Sequence, residues 1–331
     1  MNTELSSIMK TENKVVEWAS KVKYNADLTN EEKEISSVID NWAKDLGATG
    51  CDPNNELSQM VTKSITTESV TTPSALIDSM FNNNDIGEFD DFRGEGSPKN
   101  TIKVYDSING GNVDRSFIDF STFAPSYTNL QAETDISLED LRRGGFKTVA
   151  TLISFITEAL EQKKVSAILN KVDTAIVSGA ANYFNEATTS PTETITKALA
   201  LYLADVTDGT PQTIFGLNKY IQAVAGLTGV TTYLTDAVKN QYNTTGFVKQ
   251  YAGCELLGLS GQKKLADGSF IIPDKRLFGV AGKIGDAITR GSTRTLQETD
   301  INSEKIHIKV SGYQFGTCIN DISKVAKMVI L

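Results

Sequence analysis

The chain has one histidine, His307, in 331 residues. That scarcity removes the usual means of proton transfer near neutral pH, of Ser–His or Cys–His nucleophile activation, and of an imidazole-rich zinc site. His307 alternates with Ile306 and Ile308, which places it on the polar side of a strand with no nucleophile beside it; it reads as a surface or interface residue. Cysteine is also sparse. Cys51, Cys254 and Cys318 lie far apart with no CxxC, and an odd number in a long chain argues against a disulfide framework. They read as three separate buried or half-buried thiols. No stretch of about 18 apolar residues occurs, and the start, MNTELSSIMKTENK, lacks the apolar run of a secretory signal, so neither a membrane span nor export is indicated and a cytoplasm is the expected address.

Positive charge is missing as well. The net charge is −9, and it is uneven: residues 1–136 hold 11 Lys/Arg against 23 Asp/Glu, residues 137–331 hold 21 against 18. No basic patch of the kind that neutralises phosphates results, so sequence-specific nucleic-acid binding is not expected. An acidic or neutral wall beside nucleic acid stays open, because a container must not grip its contents. The stretch RLFGVAGKIGDAITRG offers Gly279, Gly282 and Gly285, but Leu277 stands where a P-loop needs its first glycine and Ile284 follows Lys283. These read as turn and close-packing glycines. Residues 82–100, NNNDIGEFDDFRGEGSPKN, lack EF-hand spacing and read as a solvated loop. Carboxylates abound, yet none is singled out for acid–base work. No catalytic, cofactor-binding or metal-binding residue is expected.

What is present is periodic. Residues 1–50 read as two amphipathic helices, the second opened by a Thr29/Glu32 capping box and stopped at Gly47. Residues 51–72 are rich in Ser and Thr and read as an extended arm, followed by a short helix, ALIDSMF, after Pro73. Residues 137–179 carry the strongest signal: Val149, Leu152, Ile153, Ile156, Leu160, Val165, Ile168, Leu169, Val172 and Ile176 step by three and four, starting at Ser137, weakened at Gly144-Gly145 and ending at Gly179. About 40 residues of helix make a rod of about 60 Å. Residues 180–300 turn to short alternating helices and strands, and the close, EKIHIKVSGYQFGTCINDISKVAKMVIL, reads as strands with Ile306, Ile308 and Val310 on one face.

The stretch TIKVYDSINGGNVDRSFIDF, residues 101–120, reads as a two-stranded ribbon turning at Asn109-Gly110-Gly111. Both runs carry charge, through Lys103 and Asp106, then Asp114, Arg115 and Asp119. A lone hairpin is marginal in water, so this one must lean on something else.

The order of an N-terminal arm, polar ribbon, spine helix entered through ETDISLEDLRRGG, α/β insertion and final strands resembles the major capsid proteins of tailed bacteriophages. Their fold is the Johnson or Hong Kong ninety-seven-like fold, of α+β class. The resemblance covers residues 55–331. It implies a helical segment and N-arm over 1–72, the start of a peripheral domain over 73–87, an extended loop over 88–134, the spine of the peripheral domain over 135–180, an α/β axial domain over 181–299, and peripheral-domain strands over 300–331. It further implies a structural protein without cofactor that forms pentamers and hexamers of an icosahedral shell around double-stranded DNA. Scaffold, portal and decoration proteins are its expected partners, with no membrane contact. The virion, assembled in the host cytoplasm, is the expected location. The ribbon would then lie on a neighbouring subunit, with Lys103, Asp106, Asp114, Arg115 and Asp119 as candidate intersubunit contacts setting register more than affinity. A shell protein of an encapsulin nanocompartment shares the fold and is the near alternative; an α/β enzyme or binding module with the ribbon as lid is the rival from another class.

Overall fold

A computed structural model describes residues 12–52, 55–62, 75–95, 102, 122–207, 212–227, 249–261, 264–291, 293–300 and 302–331. The chain opens with α1 (Glu12–Lys23) and α2 (Asn30–Thr49). The capping box forms: the Glu32 amide donates to Thr29 Oγ1 at 3.3 Å and the Thr29 amide to Glu32 Oε2 at 2.7 Å. Gly47 does not stop α2. The helix runs on to Thr49 and closes at left-handed Gly50. A Cβ on Gly47 would sit 2.6 Å from the Arg142 amide nitrogen, so this glycine serves helix-on-helix contact.

The expected extended arm is helical over 56–62. Asp52 caps it, accepting from the Glu56 and Leu57 amides at 2.9 and 3.1 Å, and Leu57, Met60 and Val61 are buried. The rest of the threonine-rich segment, 63–74, lies outside the described residues. Helix α3 (Ala75–Met80) passes straight into strand β1 (Phe81–Ile86). The solvated loop expected from residue 82 therefore starts later, at Gly87. Polar asparagines can form this strand because, among the described residues, one of its edges pairs, in parallel with β10 (Gly285–Arg290), and the amides of Asn82 and Asn84 find a carboxylate there.

After β2 (Gly94–Glu95) and β3 (Thr122–Phe123), β4 (Ser126–Ser137) leads into α4 (Leu138–Gly144) and α5 (Phe146–Ala175). Ser137 caps α4, its Oγ accepting from the Asp140 amide at 3.0 Å. The expected single rod is broken at Gly145, whose φ of 49° and ψ of −127° no helix contains. Thirty residues remain in α5, about 45 Å rather than about 60 Å. It ends at Ala175, and Gly179 lies beyond in a turn. The apolar stripe is buried from Val149 to Val172 except at Val165, which is half-buried.

Beyond the spine come β5 (Tyr183–Glu186), α6 (Glu193–Thr207), β6 (Gln212–Leu217), α7 (Asn218–Ala225), β7 (Gln250–Tyr251), β8 (Cys254–Leu259), β9 (Arg276–Ala281), β10, β11 (Arg294–Asp300), β12 (Lys305–Ile319) and β13 (Val325–Ile330). Two sheets result. One has β4 along one side of the long β12, with β11 and then β10 on the other side and β1 outside β10. The other runs β5-β13-β9-β6-β8-β7. Consecutive strands β9 and β10 thus part company, and β13 returns to the six-stranded sheet, where it pairs with β9 and β5. Gly279 and Gly285 do pack closely: a Cβ would lie 2.5 Å from Leu203 Cδ1 in one case and 1.9 Å from the Cys318 carbonyl oxygen in the other. Ile306, Ile308 and Val310 are fully buried, as alternation requires. Cys254 and Cys318 are buried, whereas Cys51 is exposed just past the end of α2.

Candidate intersubunit surfaces

Strands β2 and β3 pair Gly94 with Phe123 and Glu95 with Thr122. The two ends of the intervening segment therefore lie side by side. Lys103, Asp106, Asp114, Arg115 and Asp119 all belong to the segment between, outside the described residues.

The foot of this segment is anchored by groups that sequence reading missed. Asp286, 8% exposed, accepts from the side-chain amides of Asn82 at 3.4 Å, Asn84 at 3.2 Å and Asn320 at 2.6 Å. One carboxylate thus joins β1, β10 and the turn after β12, and Gly94 packs against it so closely that a Cβ would be 2.6 Å from Asn320 Oδ1 and 3.1 Å from Asp286 Oδ2. The signal available in sequence was a lone acid inside the apolar run GDAITR together with the asparagine triplet. On the far side, Arg290 donates to the Glu88 carbonyl at 2.8 Å and lies over the Tyr127 ring at 5.1 Å. Lys171 of α5 donates to Ser126 Oγ at 2.7 Å and to the Thr317 carbonyl, fastening the start of β4 to the spine; burial pushes its pKa down. Phe89, in the loop before β2, is 91% exposed, and Phe123 on β3 is also exposed.

Two residues further along the same end of the spine, the contacts go to the other sheet. Asp173 of α5 lies 3.2 Å from Lys327 Nζ on β13 and 3.4 Å from Arg276 Nε on β9, and Lys327 also donates to the Asp173 carbonyl at 2.6 Å. Lys327 is 7% exposed, and a cation at a helix C-terminus meets the negative end of the dipole. The C-terminal end of the spine is therefore tied to both sheets, through Lys171 to the five-stranded one and through Asp173 to the six-stranded one. A groove of about 190 Å³ beside the middle of α5 is lined by Leu76, Val165, Leu259, Ile271 and Ile272 with Glu158 and Glu161. Among the described residues no group of three or more His, Cys, Asp or Glu is placed to hold a metal ion, and no helix is long and apolar enough to cross a membrane. Burial pushes the Cys254 thiol up to about 11 and raises Cys318, the direction opposite to nucleophile activation.

The same architecture is found in solved phage-type shells. The capsid of a native GTA particle is 12% identical, covering 79% of this chain and 91% of its own, with a TM-score of 0.57. The chain of Gordonia phage Cozz is 10% identical over 78% and 86%, TM-score 0.54, and the capsid of cyanophage P-SCSP1u 11% identical over 76% and 87%, TM-score 0.52. The fold is the Hong Kong ninety-seven-like capsid fold. A search of curated protein sequences finds no significant match. A family model described as "SPbeta prophage-derived putative capsid protein YonB" matches residues 4–320, and the chain belongs to that family of structural capsid proteins.

Proposed function

We propose that the chain is the major shell subunit of a tailed phage or prophage, assembling into pentamers and hexamers of an icosahedral capsid that encloses double-stranded DNA. One observation carries this reading. The segment 96–121 departs and returns through a paired foot, anchored by Asp286, Lys171 and Arg290, and its sequence is polar on both runs. A ribbon of that kind finds its stabilisation in a neighbouring copy, with Lys103, Asp106, Asp114, Arg115 and Asp119 as its contacts. The six-stranded sheet with α6 and α7 is the unit we assign to capsomer centres. The spine and the five-stranded sheet form the peripheral unit, with Asp173, Lys327 and Arg276 joining the two. The net charge of −9 suits a wall along which DNA is not gripped. The role is structural and non-enzymatic, without cofactor, in the virion after assembly in the host cytoplasm; scaffold, portal and decoration proteins are the partners this role calls for. The encapsulin alternative is not favoured, since the matching family is one of prophage capsid proteins.

The test is negative-stain electron microscopy and sedimentation of the full chain, beside a variant in which the five ribbon residues are replaced by Ala. Closed shells, tubes or capsomers from the parent and smaller species from the variant support the reading. A parent that stays monomeric at high concentration, with segment 96–121 resistant to protease, overturns it.

A further inference from the structure

His307 occupies the middle row of a charged ladder on the outward face of the five-stranded sheet. Cross-strand register sets Glu298 of β11 opposite it on one side and Asp135 of β4 opposite it on the other. Its Nδ1 lies 2.5 Å from Asp135 Oδ1. The rows above and below each set a lysine opposite one carboxylate. Lys309 stands between Leu296 and Glu133, with Nζ 3.7 Å from Glu133 Oε2, and Lys305 stands between Asp300 and Ser137. The central strand therefore presents Lys305, His307 and Lys309, and its neighbours present Glu298 and Asp300 on one flank and Glu133 and Asp135 on the other. Asp140 and Lys147, at the start of the spine, share with Asp135 the open hollow beside β4. Four carboxylates of the flanking strands thus face two lysines and one imidazole. Charging the imidazole supplies the cation that the middle row lacks.

We propose that His307 is a proton-operated clamp, holding β4 and β11 to β12 most firmly when its imidazole is charged. The consequence reaches the ribbon, because β4 is the strand by which the chain returns from segment 96–121 and enters the spine at Ser137. Acid would tighten the seat of the ribbon, and alkali would relax it. The inference concerns contacts within one copy and does not depend on the shell reading.

The sign follows from the surroundings. The hydrogen bond with Asp135 raises the His307 pKa first, then the charges of Asp135, Asp300 and Glu298. A group whose pKa is raised on folding adds stability that is fully present below its unfolded value, near 6.5, and is lost as pH rises through the folded value.

The experiment is hydrogen exchange by mass spectrometry on the full chain in its native assembly state, comparing the parent with His307→Gln and Asp135→Asn at matched pH values from 5 to 9. Exchange of peptides covering 126–137 and 294–300 is read as the ratio of variant to parent, which cancels the intrinsic pH dependence. Expected is a ratio well above one at pH 5 that falls toward one at pH 9, with peptides of the six-stranded sheet unchanged as the internal reference. The single imidazole also allows its titration to be followed by NMR on the dissociated chain. Its midpoint should lie above that of a free histidine and drop in both Asp135→Asn and Glu298→Gln. A ratio that does not vary with pH, or a midpoint indifferent to Asp135→Asn, overturns the clamp even if the variants fold normally.

Discussion

Replacing Gly145 by Ala is the sharpest probe of how the spine begins. Gly145 closes α4 and opens α5 at φ 49°, ψ −127°, and a Cβ there would lie 1.9 Å from Asp40 Oδ1. Asp40, on α2, accepts the Phe146 amide at 3.3 Å and so caps a helix that has no cap of its own, since glycine has no side chain to offer. Gly145→Ala therefore adds backbone strain of about 1–3 kcal/mol to the loss of a cap worth about 1 kcal/mol. The expected cost is about 2–4 kcal/mol, above the roughly 1 kcal/mol of an ordinary substitution. Urea unfolding of the full chain by tryptophan fluorescence suits the measurement. Both tryptophans, Trp18 and Trp42, lie on α1 and α2, and the Trp18 ring centroid is 6.4 Å from that of Phe146. Asp40→Ala alone should cost about 1 kcal/mol. In the Gly145→Ala background it should cost nothing or stabilise, because it removes the colliding carboxylate. A Gly145→Ala loss under about 0.5 kcal/mol, or two strictly additive substitutions, would refute the reasoning.

Three further outcomes are expected. Ser36→Ala strands the Trp18 indole N–H, which donates to Ser36 Oγ at 2.8 Å inside the core, at a cost of about 1–3 kcal/mol by denaturant titration; an unchanged midpoint would contradict the bond. Iodoacetamide at pH 8 should alkylate Cys51 in the native chain and reach Cys254 and Cys318 only after unfolding, as read by peptide mapping, because those two are buried with raised pKa values. Asp286→Ala leaves three asparagine amides without their acceptor and should speed proteolytic cleavage within 96–121 while lowering stability by about 2–3 kcal/mol; equal cleavage rates would show that the carboxylate does not secure the foot.

Legibility followed the range of the interactions. The capping box at Thr29, the apolar stripe of α5, the alternation over Ile306–Val310 and the α/β texture after residue 180 were readable, since each depends on spacing within a turn or two of the same element. The misreadings have a common cause. Gly47 looks like a stop until Arg142, from another helix, is found against it. The segment 56–62 looks extended until its apolar residues meet the core, and Asn82–Ile86 looks like a loop until β10 supplies a pairing edge. Asp286, Lys171 and the Asp173–Lys327–Arg276 tie could not be singled out, because their partners lie between 34 and 204 residues away in the chain.

By itself the sequence determined the capping box at Thr29, the apolar stripe of α5 and the alternation over residues 306–310. Tertiary structure alone decided that the spine breaks at Gly145, that β9 and β10 join different sheets, that β13 returns to the first of these, and that His307 stands between two carboxylates. Local periodicity is written in neighbouring residues. Pairing and burial are settled by surfaces that meet only when the chain has folded.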